Sequence, residues 1–298
     1  MLTYHWPYYY EHDNLVEAQA EVEGAHQHGK PIVIFSGGDH PANVPFEDAI
    51  LFESAGYRST PGLRYHSAQP SYIQDYLQLY CDGQFQPRPK GEIPVISFCG
   101  QASTSPLQTA YRTLRLKLQQ YQYRQGQLLW EPPPFETSTF RKQVLKHFEN
   151  QAGIQTNFIL RKRYQAGESE NISTHHPAKL EFVNNILDSD FTVCMRGGGN
   201  FSMRFYEILC LGRIPIFIDT DCLLPFQDEI NYKAIFPWID VQDLPHAAEI
   251  VRDFHTQLSA DDFIDLQKAC RDLWFEHMTS NGFYRDFVKK MRIILDSF

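Results

Sequence analysis

The chain has 298 residues, of which 43% are hydrophobic and 21% charged; this ordinary globular composition supports a buried core without disulfides or metal ions. The formal net charge of −9 opposes a phosphate backbone, so we expect no nucleic-acid partner. No apolar run approaches the roughly 20 residues that a transmembrane helix requires, so we expect no membrane span.

The first third of the chain predicts a small α/β unit. Its N-terminal residues lack a basic region followed by an apolar run, so we expect no signal peptide and a cytoplasmic location. The patterns indicate a helix at 14–28, a strand at 31–36, a further apolar run at 49–55, an irregular stretch at 59–70 and a helix at 71–80. The Pro- and Lys-bearing stretch 86–91 is the best linker candidate.

Strand and helix patterns alternate through most of the remainder, which is typical of parallel α/β architecture. We expect strands at 93–100, 157–161, 191–195 and 214–219, and helices at about 106–122, 137–150, 177–187 and 202–211. The region beyond about residue 243 is largely helical in pattern. The strands that begin at 93, 191 and 214 should share one sheet, with their carboxyl ends opening on one cleft.

The stretch 194–226 carries the most informative chemistry. Gly197 begins a three-glycine turn between a buried strand and a helix, where free backbone N–H groups and the helix dipole favour an anion. Arg196 and Arg204 add positive charge on either side, and a guanidinium suits phosphate oxygens. Ser202 can cap the helix or donate to a phosphate, and Glu207 can accept hydrogen bonds from ribose hydroxyls.

Each of these features also has a simpler interpretation. Three glycines are commonly only a turn, and this spacing is not that of a dinucleotide fold. Arg204 and Glu207, at i and i+3, can form a surface pair that contributes about 0.2–0.5 kcal/mol. Combined on one strand–turn–helix unit of an α/β chain, however, the features favour a phosphate site.

The same stretch resembles the C-terminal signature of exostosin-like glycosyltransferases. The matching residues are Arg196-Gly197, Ser202, Arg204, Glu207, Gly212, Ile214-Pro215 and Leu224-Pro225-Phe226. A looser similarity extends back to 97–100. The chain departs from the family at Met195, where the family often has Pro, and at Tyr232, where it has Trp, so donor or acceptor preference can differ from that of familiar members.

The resemblance implies a GT-B-like α/β fold, in which two Rossmann-like domains face a cleft. We expect an abbreviated acceptor-side domain at 1–90 and a nucleotide-sugar donor domain with C-terminal helices at 91–298. The implied activity in polysaccharide biosynthesis is an inverting transfer of a sugar from a nucleotide-diphosphate donor, with UDP expected, to a glycan hydroxyl. The donor is assigned to Arg196, Gly197, Ser202, Arg204 and Glu207, without a cofactor.

We expect no metal site. Asp219-Thr220-Asp221 spells DxD, but it lies in a strand-end loop and not in that motif's usual setting. His175-His176 lacks partner ligands. The six cysteines have no CxxC spacing, which indicates reduced thiols rather than zinc ligands.

An inverting transfer needs a base that takes the proton of the acceptor hydroxyl. Asp39 and His40 follow the first predicted strand, where an N-terminal domain can present a base to the cleft. The sequence Gly-Gly-Asp-His equally suits a turn capped by Asp39, and both interpretations stay open. If Asp39 lies far from the cleft, the role passes to His40, Glu47 or a residue not identified here.

Other basic residues are weaker candidates for the donor site. Arg161, Lys162 and Arg163 follow a strand, and Arg112 and Arg115 lie on a predicted helix, but a basic run is more often a solvated face.

Two alternative functions remain. One is a GDP-sugar-dependent transferase such as a fucosyltransferase, which a nucleotide-binding screen would separate. The other is a non-catalytic carbohydrate-binding protein on the same fold.

Overall fold

The computed structural model describes residues 1–102, 105–128, 130–162 and 176–296. Its first unit contains α1 (Trp6–Glu11), α2 (Leu15–Gln27), β1 (Val33–Ser36), β2 (Ile50–Glu53) and β3 (Tyr65–Ala68). The next helix, α3 (Tyr76–Tyr80), buries Tyr76 and Leu77 in the core of the larger unit. The three strands pair in parallel in the order β1-β2-β3. Every residue of β2, the central strand, is buried.

A second parallel sheet, of order β5-β4-β6-β7-β8, forms the larger unit. Its elements are β4 (Val95–Gln101), α4 (Pro106–Arg124), α5 (Thr137–Lys146), β5 (Gln155–Arg161), α6 (Pro177–Leu187), β6 (Phe191–Cys194), α7 (Met203–Cys210), β7 (Ile214–Asp219) and β8 (Trp238–Asp240). The predicted strands β4, β6 and β7 are neighbours in this sheet, which confirms their expected arrangement. Short 3-10 helices flank β8 at Tyr232–Ala234 and Val241–His246.

Local sequence signals account for several helix starts. Ser105 accepts a hydrogen bond from the Gln108 backbone at the start of α4, with Pro in the first turn.

Strands β6 and β7 are buried at every position, as expected for central parallel strands covered on both faces. The six cysteines are free thiols, and five of them are buried.

Three helices complete the described chain: α8 (Ala247–Gln257), α9 (Ala260–His277) and α10 (Ser280–Asp296). The last of them returns to the small sheet. Its Phe283 and Met291 share a buried cluster with Ile50 and Phe52 of β2 and with Phe226. The end of the chain therefore helps to hold the two sheets together.

The structure corrects some of the expected elements. The prediction that 59–70 is irregular is wrong at Tyr65–Ala68, which forms β3. This segment is too short and polar to stand out as a strand, and it forms one by pairing with β2. The helix expected at 71–80 begins only at Tyr76, and α1 and β8 were not predicted.

The carboxyl ends of the two sheets face each other. The loop after β1 touches the glycine turn after β6 at Gly199, and Tyr57, beyond β2, accepts a hydrogen bond from Arg196. The fold is therefore the predicted GT-B-like α/β arrangement, with the smaller sheet in the N-terminal part. In the part of the chain that the structure describes, no helix combines the length and apolar character needed to cross a bilayer.

Candidate functional site

Arg196, the first residue of the candidate site, is a buried cation that is 4% exposed. Its Nη1 donates to the Tyr57 hydroxyl at 3.2 Å, and its Nη2 makes a long contact of 3.5 Å with the Gly198 carbonyl. Its Nε is buried with no hydrogen-bond partner in the described structure. None of the ion pairs formed by the described residues includes Arg196. An unneutralised buried charge is costly, so this guanidinium is poised for an anion.

The glycine turn packs directly against the loop that carries Asp39. A Cβ on Gly199 would lie 2.6 Å from the Asp39 carbonyl oxygen, closer than real Cβ atoms come. A Cβ on Gly198 would lie 3.5 Å from the Asp39 carboxylate. At Gly197 an added Cβ would meet only ordinary contacts, while its N–H donates to the Phe201 carbonyl at 2.8 Å. Of the three glycines, only Gly199 is required by the close approach of the other sheet's loop.

Arg204 reaches from α7 to the end of β4. Its Nη2 donates to the Cys99 carbonyl at 2.7 Å, and its guanidinium lies 4.2 Å from the centre of the Phe98 ring. A Cβ on Gly100 would come within 2.7 Å of the same Nη2, so Gly100 leaves room for the guanidinium. Arg204 therefore places positive charge at the carboxyl edge of the large sheet, as Arg196 does after β6.

Glu207 has partners that the sequence did not indicate. Its Oε1 accepts hydrogen bonds from the Tyr76 hydroxyl at 2.6 Å and from Lys179 Nζ at 3.2 Å. Burial and the Glu207 charge raise the pKa of Tyr76, so its hydroxyl stays protonated and donates. Glu207 is only 9% exposed, which argues against a surface pair with Arg204. A carboxylate has further lone pairs, so these bonds leave acceptor capacity for a ligand hydroxyl.

Ser202 occupies the N-cap position of α7, but its side chain makes no capping hydrogen bond. It interacts instead with the thiol of Cys194. Burial raises the pKa of this thiol to about 12, although the hydrogen bond with Ser202 offsets a smaller part of that rise. Both line a cavity of about 10 Å³ beside Arg196, roughly the space of one water molecule. Ser202 was expected either to cap the helix or to donate to a phosphate, and the side-chain cap is absent.

Asp39 and His40 are exposed beside the glycine turn. The His40 ring stacks on Trp130 with centroids 3.7 Å apart. His40 is thus covered on one side: desolvation there lowers the pKa of the imidazole, and the nearby Asp39 charge offsets part of the effect. A neutral imidazole and a carboxylate therefore stand side by side facing Arg196's turn, and either can accept a proton. Asp39 caps no helix, because no helix begins in this loop.

The DxD residues join the two units. Asp219 Oδ2 pairs with Arg58 at 2.7 Å, and its Oδ1 accepts from the Cys222 backbone at 3.0 Å. Asp221 accepts hydrogen bonds from the backbone and hydroxyl of Ser59. Among the described residues no group of three His, Cys, Asp or Glu side chains is arranged to hold a metal ion.

Four residues that the sequence did not single out border the site: Tyr57, Trp130, Arg141 and Lys179. Arg141 of α5 donates to the Arg196 carbonyl at 3.4 Å. The sequence could have suggested only Arg141 and Lys179, because both are cations on predicted helices of the large unit. Nothing in the local sequence indicates that Tyr57 meets Arg196, because the contact joins residues from different sheets.

The other basic candidates lie elsewhere. Arg112 donates to Ser138 at 2.8 Å, and Arg161 pairs with Glu181 at 2.5 Å. Arg115 and Lys162 are exposed, and His176 caps α6. Arg163 and His175 lie outside the described residues.

Part of the chain is similar in sequence to known glycosyltransferases. Residues 125–254 match the family model of the Exostosin GT47 domain. A probable glucuronosyltransferase of Oryza sativa subsp. japonica is 33% identical over 98 residues, which cover 33% of this chain and 21% of that protein. A probable beta-1,4-xylosyltransferase of Arabidopsis thaliana is 32% identical over 81 residues, which cover 27% of this chain and 19% of that protein. The matches thus span about a fifth of these relatives.

Among solved structures, a glycosyltransferase from Rickettsia africae aligns with 88% of this chain and 70% of its own, at 11% identity and a TM-score of 0.40. The family match includes Arg196, Gly197, Ser202, Arg204 and Glu207, whereas Asp39 and His40 precede it. The family model and the curated relatives support the same assignment. The predicted resemblance to the exostosin-like glycosyltransferases is therefore confirmed over residues 125–254, which are somewhat less than half of the chain.

Proposed function

We propose that this protein transfers a sugar from a nucleotide-diphosphate donor, with UDP expected, to a glycan hydroxyl with inversion. The observation that carries the proposal is the buried Arg196 guanidinium at the carboxyl end of β6, which pairs with no carboxylate among the described residues. A diphosphate would supply the missing charge. The names of the relatives, glucuronosyltransferase and xylosyltransferase, support a sugar transfer.

In this proposal each donor residue meets a different part of the nucleotide sugar. Arg196, Gly197 and Ser202 face the diphosphate, together with Arg204 at the neighbouring strand end. Glu207, held by Tyr76 and Lys179, accepts from ribose hydroxyls. The separation is favourable, because a carboxylate placed against a diphosphate would repel it.

The transfer itself requires a base opposite the leaving group. Asp39 or His40 takes the proton of the acceptor hydroxyl, whose oxygen then attacks the anomeric carbon. The bond from that carbon to the diphosphate breaks, and the departing oxygen keeps the electron pair. Arg196 stabilises the negative charge that develops there. Attack opposite the leaving group inverts the anomeric centre.

A nucleotide screen tests the donor class. Thermal unfolding of the full chain would be followed with UDP, GDP and CMP, since a ligand at 100 times its dissociation constant stabilises by about 2.7 kcal/mol. UDP should raise the unfolding temperature most. A response to GDP alone would favour the fucosyltransferase-like alternative. A response to glycans without any nucleotide would favour a binding protein.

The base is tested separately. Asp39→Asn should abolish transfer while nucleotide affinity stays at the parent level, because the amide has the size of the carboxylate and leaves the backbone contact of residue 39 with Gly199 unchanged. The matched variant His40→Gln should retain transfer if Asp39 is the base. The reverse pattern assigns the base to His40, and activity in both variants excludes both residues.

A further inference from the structure

The outward face of α4 carries a continuous apolar stripe. Its members and their exposed fractions are Leu107 84%, Tyr111 66%, Leu114 70%, Leu118 55% and Tyr121 60%. They are spaced alternately four and three residues apart, which keeps all of them on one side of a helix. Leu116, the buried residue of α4, points to the opposite side. The stripe therefore faces away from the protein.

Cations border this stripe on both sides. At about 100° per residue, Arg115 lies on one flank, and Lys117 and Arg124 lie on the other. All three are exposed, and none of them forms an ion pair with another described residue. The helix contains no Asp or Glu, although the whole chain has a formal net charge of −9. Positive charge is thus concentrated where the apolar residues are exposed.

We propose that α4 docks the protein on the surface of an anionic lipid bilayer. An amphipathic helix of this kind lies in the plane of the interface, with its apolar side chains at the acyl boundary and its cations at the lipid phosphates. Contiguous exposed apolar patches on soluble proteins generally mark interaction sites. The surrounding cations specify an anionic surface rather than a neutral one.

The charges also argue against a second copy of the chain as the occupant. Pairing two α4 helices along their stripes would bring two basic flanks together, with no carboxylate on either helix to compensate them. An anionic bilayer instead offers many phosphates to each cation. Docking would release counterions and weaken with added salt.

Contacts at the inner side of α4 connect it to the candidate site. Arg112 donates to Ser138 at the start of α5, and Arg141 of α5 donates to the Arg196 carbonyl. Gln120 donates to the Pro133 carbonyl at 2.9 Å, close in sequence to Trp130, which stacks on His40. A bilayer docked on α4 would therefore lie beside the cleft.

Flotation of the full chain with vesicles tests the proposal without reference to activity. One vesicle type is phosphatidylcholine alone, and the other mixes phosphatidylcholine with phosphatidylserine. The parent protein should float only with the mixed vesicles, and less so as salt is raised. The variant Arg115→Gln/Lys117→Gln/Arg124→Gln should bind them roughly 100-fold more weakly. The variant Leu107→Gln/Leu114→Gln/Leu118→Gln should lose binding as well.

The matched control is Arg292→Gln/Ile293→Gln, which removes an exposed cation and an exposed apolar residue from α10 and should bind like the parent. Circular dichroism would show whether the leucine variant folds. If it does not, the lipid preference of the parent and the binding of the cation variant still test the docking proposal. Failure of the parent to float, or equal flotation with both vesicle types, would overturn the proposal. A parent dimer in sedimentation that the leucine variant abolishes, without vesicle binding, would assign the stripe to self-association instead.

Discussion

Two buried arginines in the large unit, Arg196 and Arg213, differ in the groups that surround their guanidinium. Arg213 is 3% exposed, and its guanidinium donates to the carbonyls of Leu187 and Gln86 and to Gln267 Oε1. Burial lowers the pKa of Arg213 to about 10, yet protein oxygens surround it. Arg196 is buried to the same degree, but among the described residues its guanidinium donates only to a tyrosine hydroxyl and, over a long distance, to one carbonyl, beside the rings of Tyr57 and Phe135.

We therefore expect opposite effects from removing these two side chains. Arg196→Ala should weaken UDP binding by about 1.5–3 kcal/mol, the scale of a hydrogen bond to a charged group, with little loss of stability. Arg213→Ala should lower the free energy of unfolding by about 1–3 kcal/mol, because it leaves buried carbonyls without donors. Calorimetry with UDP and urea unfolding would measure both. Loss of stability in Arg196→Ala with full UDP affinity would show that Arg196 is structural.

The stacked pair His40–Trp130 leads to a prediction on pH. Burial lowers the pKa of His40 below its ordinary value of 6.5, so the folded protein binds this proton less readily than the unfolded chain does. The resulting contribution to stability is present above about pH 6.5 and is lost as the pH falls through the folded-state pKa.

Trp130→Ala should raise the His40 pKa toward 6.5, because the ring loses its cover. NMR titration of the His40 ring protons in the parent and the variant would measure this shift. If His40 is the base, the acid limb of the pH–rate profile should move upward by the same amount. An unchanged His40 pKa in the variant would contradict the assignment of the shift to burial under Trp130.

At the scale of elements, the strand–turn–helix units that carry long apolar runs were predictable from sequence. Strands β4, β6 and β7 and the helices between them depend on local pattern, and the structure places them as expected. Short elements such as β3 were not predictable, because its strand conformation depends on pairing with β2. The same holds for side-chain partners: Glu207 meets Tyr76, 131 residues away, and no local pattern encodes that contact.

The glycine turn gives a prediction at this scale. Gly199→Ala should lower the free energy of unfolding by about 1–3 kcal/mol, because its Cβ would lie 2.6 Å from the Asp39 carbonyl oxygen. Gly197→Ala is the matched control, since its Cβ would come no closer than 3.6 Å to another residue. Urea unfolding would compare them. Equal stability of the two variants would mean that the glycine turn and the Asp39 loop can move apart without lowering the free energy of unfolding.

For the whole molecule, the joint between the sheets decides how the cleft is held. The loop 219–226 binds the small unit at several points: Asp219 pairs with Arg58, the Arg58 backbone N–H donates to the Asp221 carbonyl at 3.0 Å, and the Phe226 backbone N–H donates to Ser67 Oγ at 2.9 Å. The Tyr57 side chain turns from this joint toward Arg196. The contacts that fix the two sheets therefore also position the candidate anion site.

From this arrangement we expect the DxD carboxylates to be structural, and two measurements test that expectation. Arg58→Ala should lower the thermal unfolding temperature, by an amount that corresponds to about 1–3 kcal/mol; this is less than the cost of breaking a fully buried pair, because the Arg58 side chain is 36% exposed. A divalent cation at Asp219 would have to displace both Arg58 and the Cys222 backbone N–H. UDP affinity should consequently be the same in EDTA and in excess Mg²⁺ or Mn²⁺. If EDTA weakens UDP binding and Asp219→Asn removes that dependence, then Asp219 binds a metal ion and the pairing with Arg58 gives way to it during catalysis.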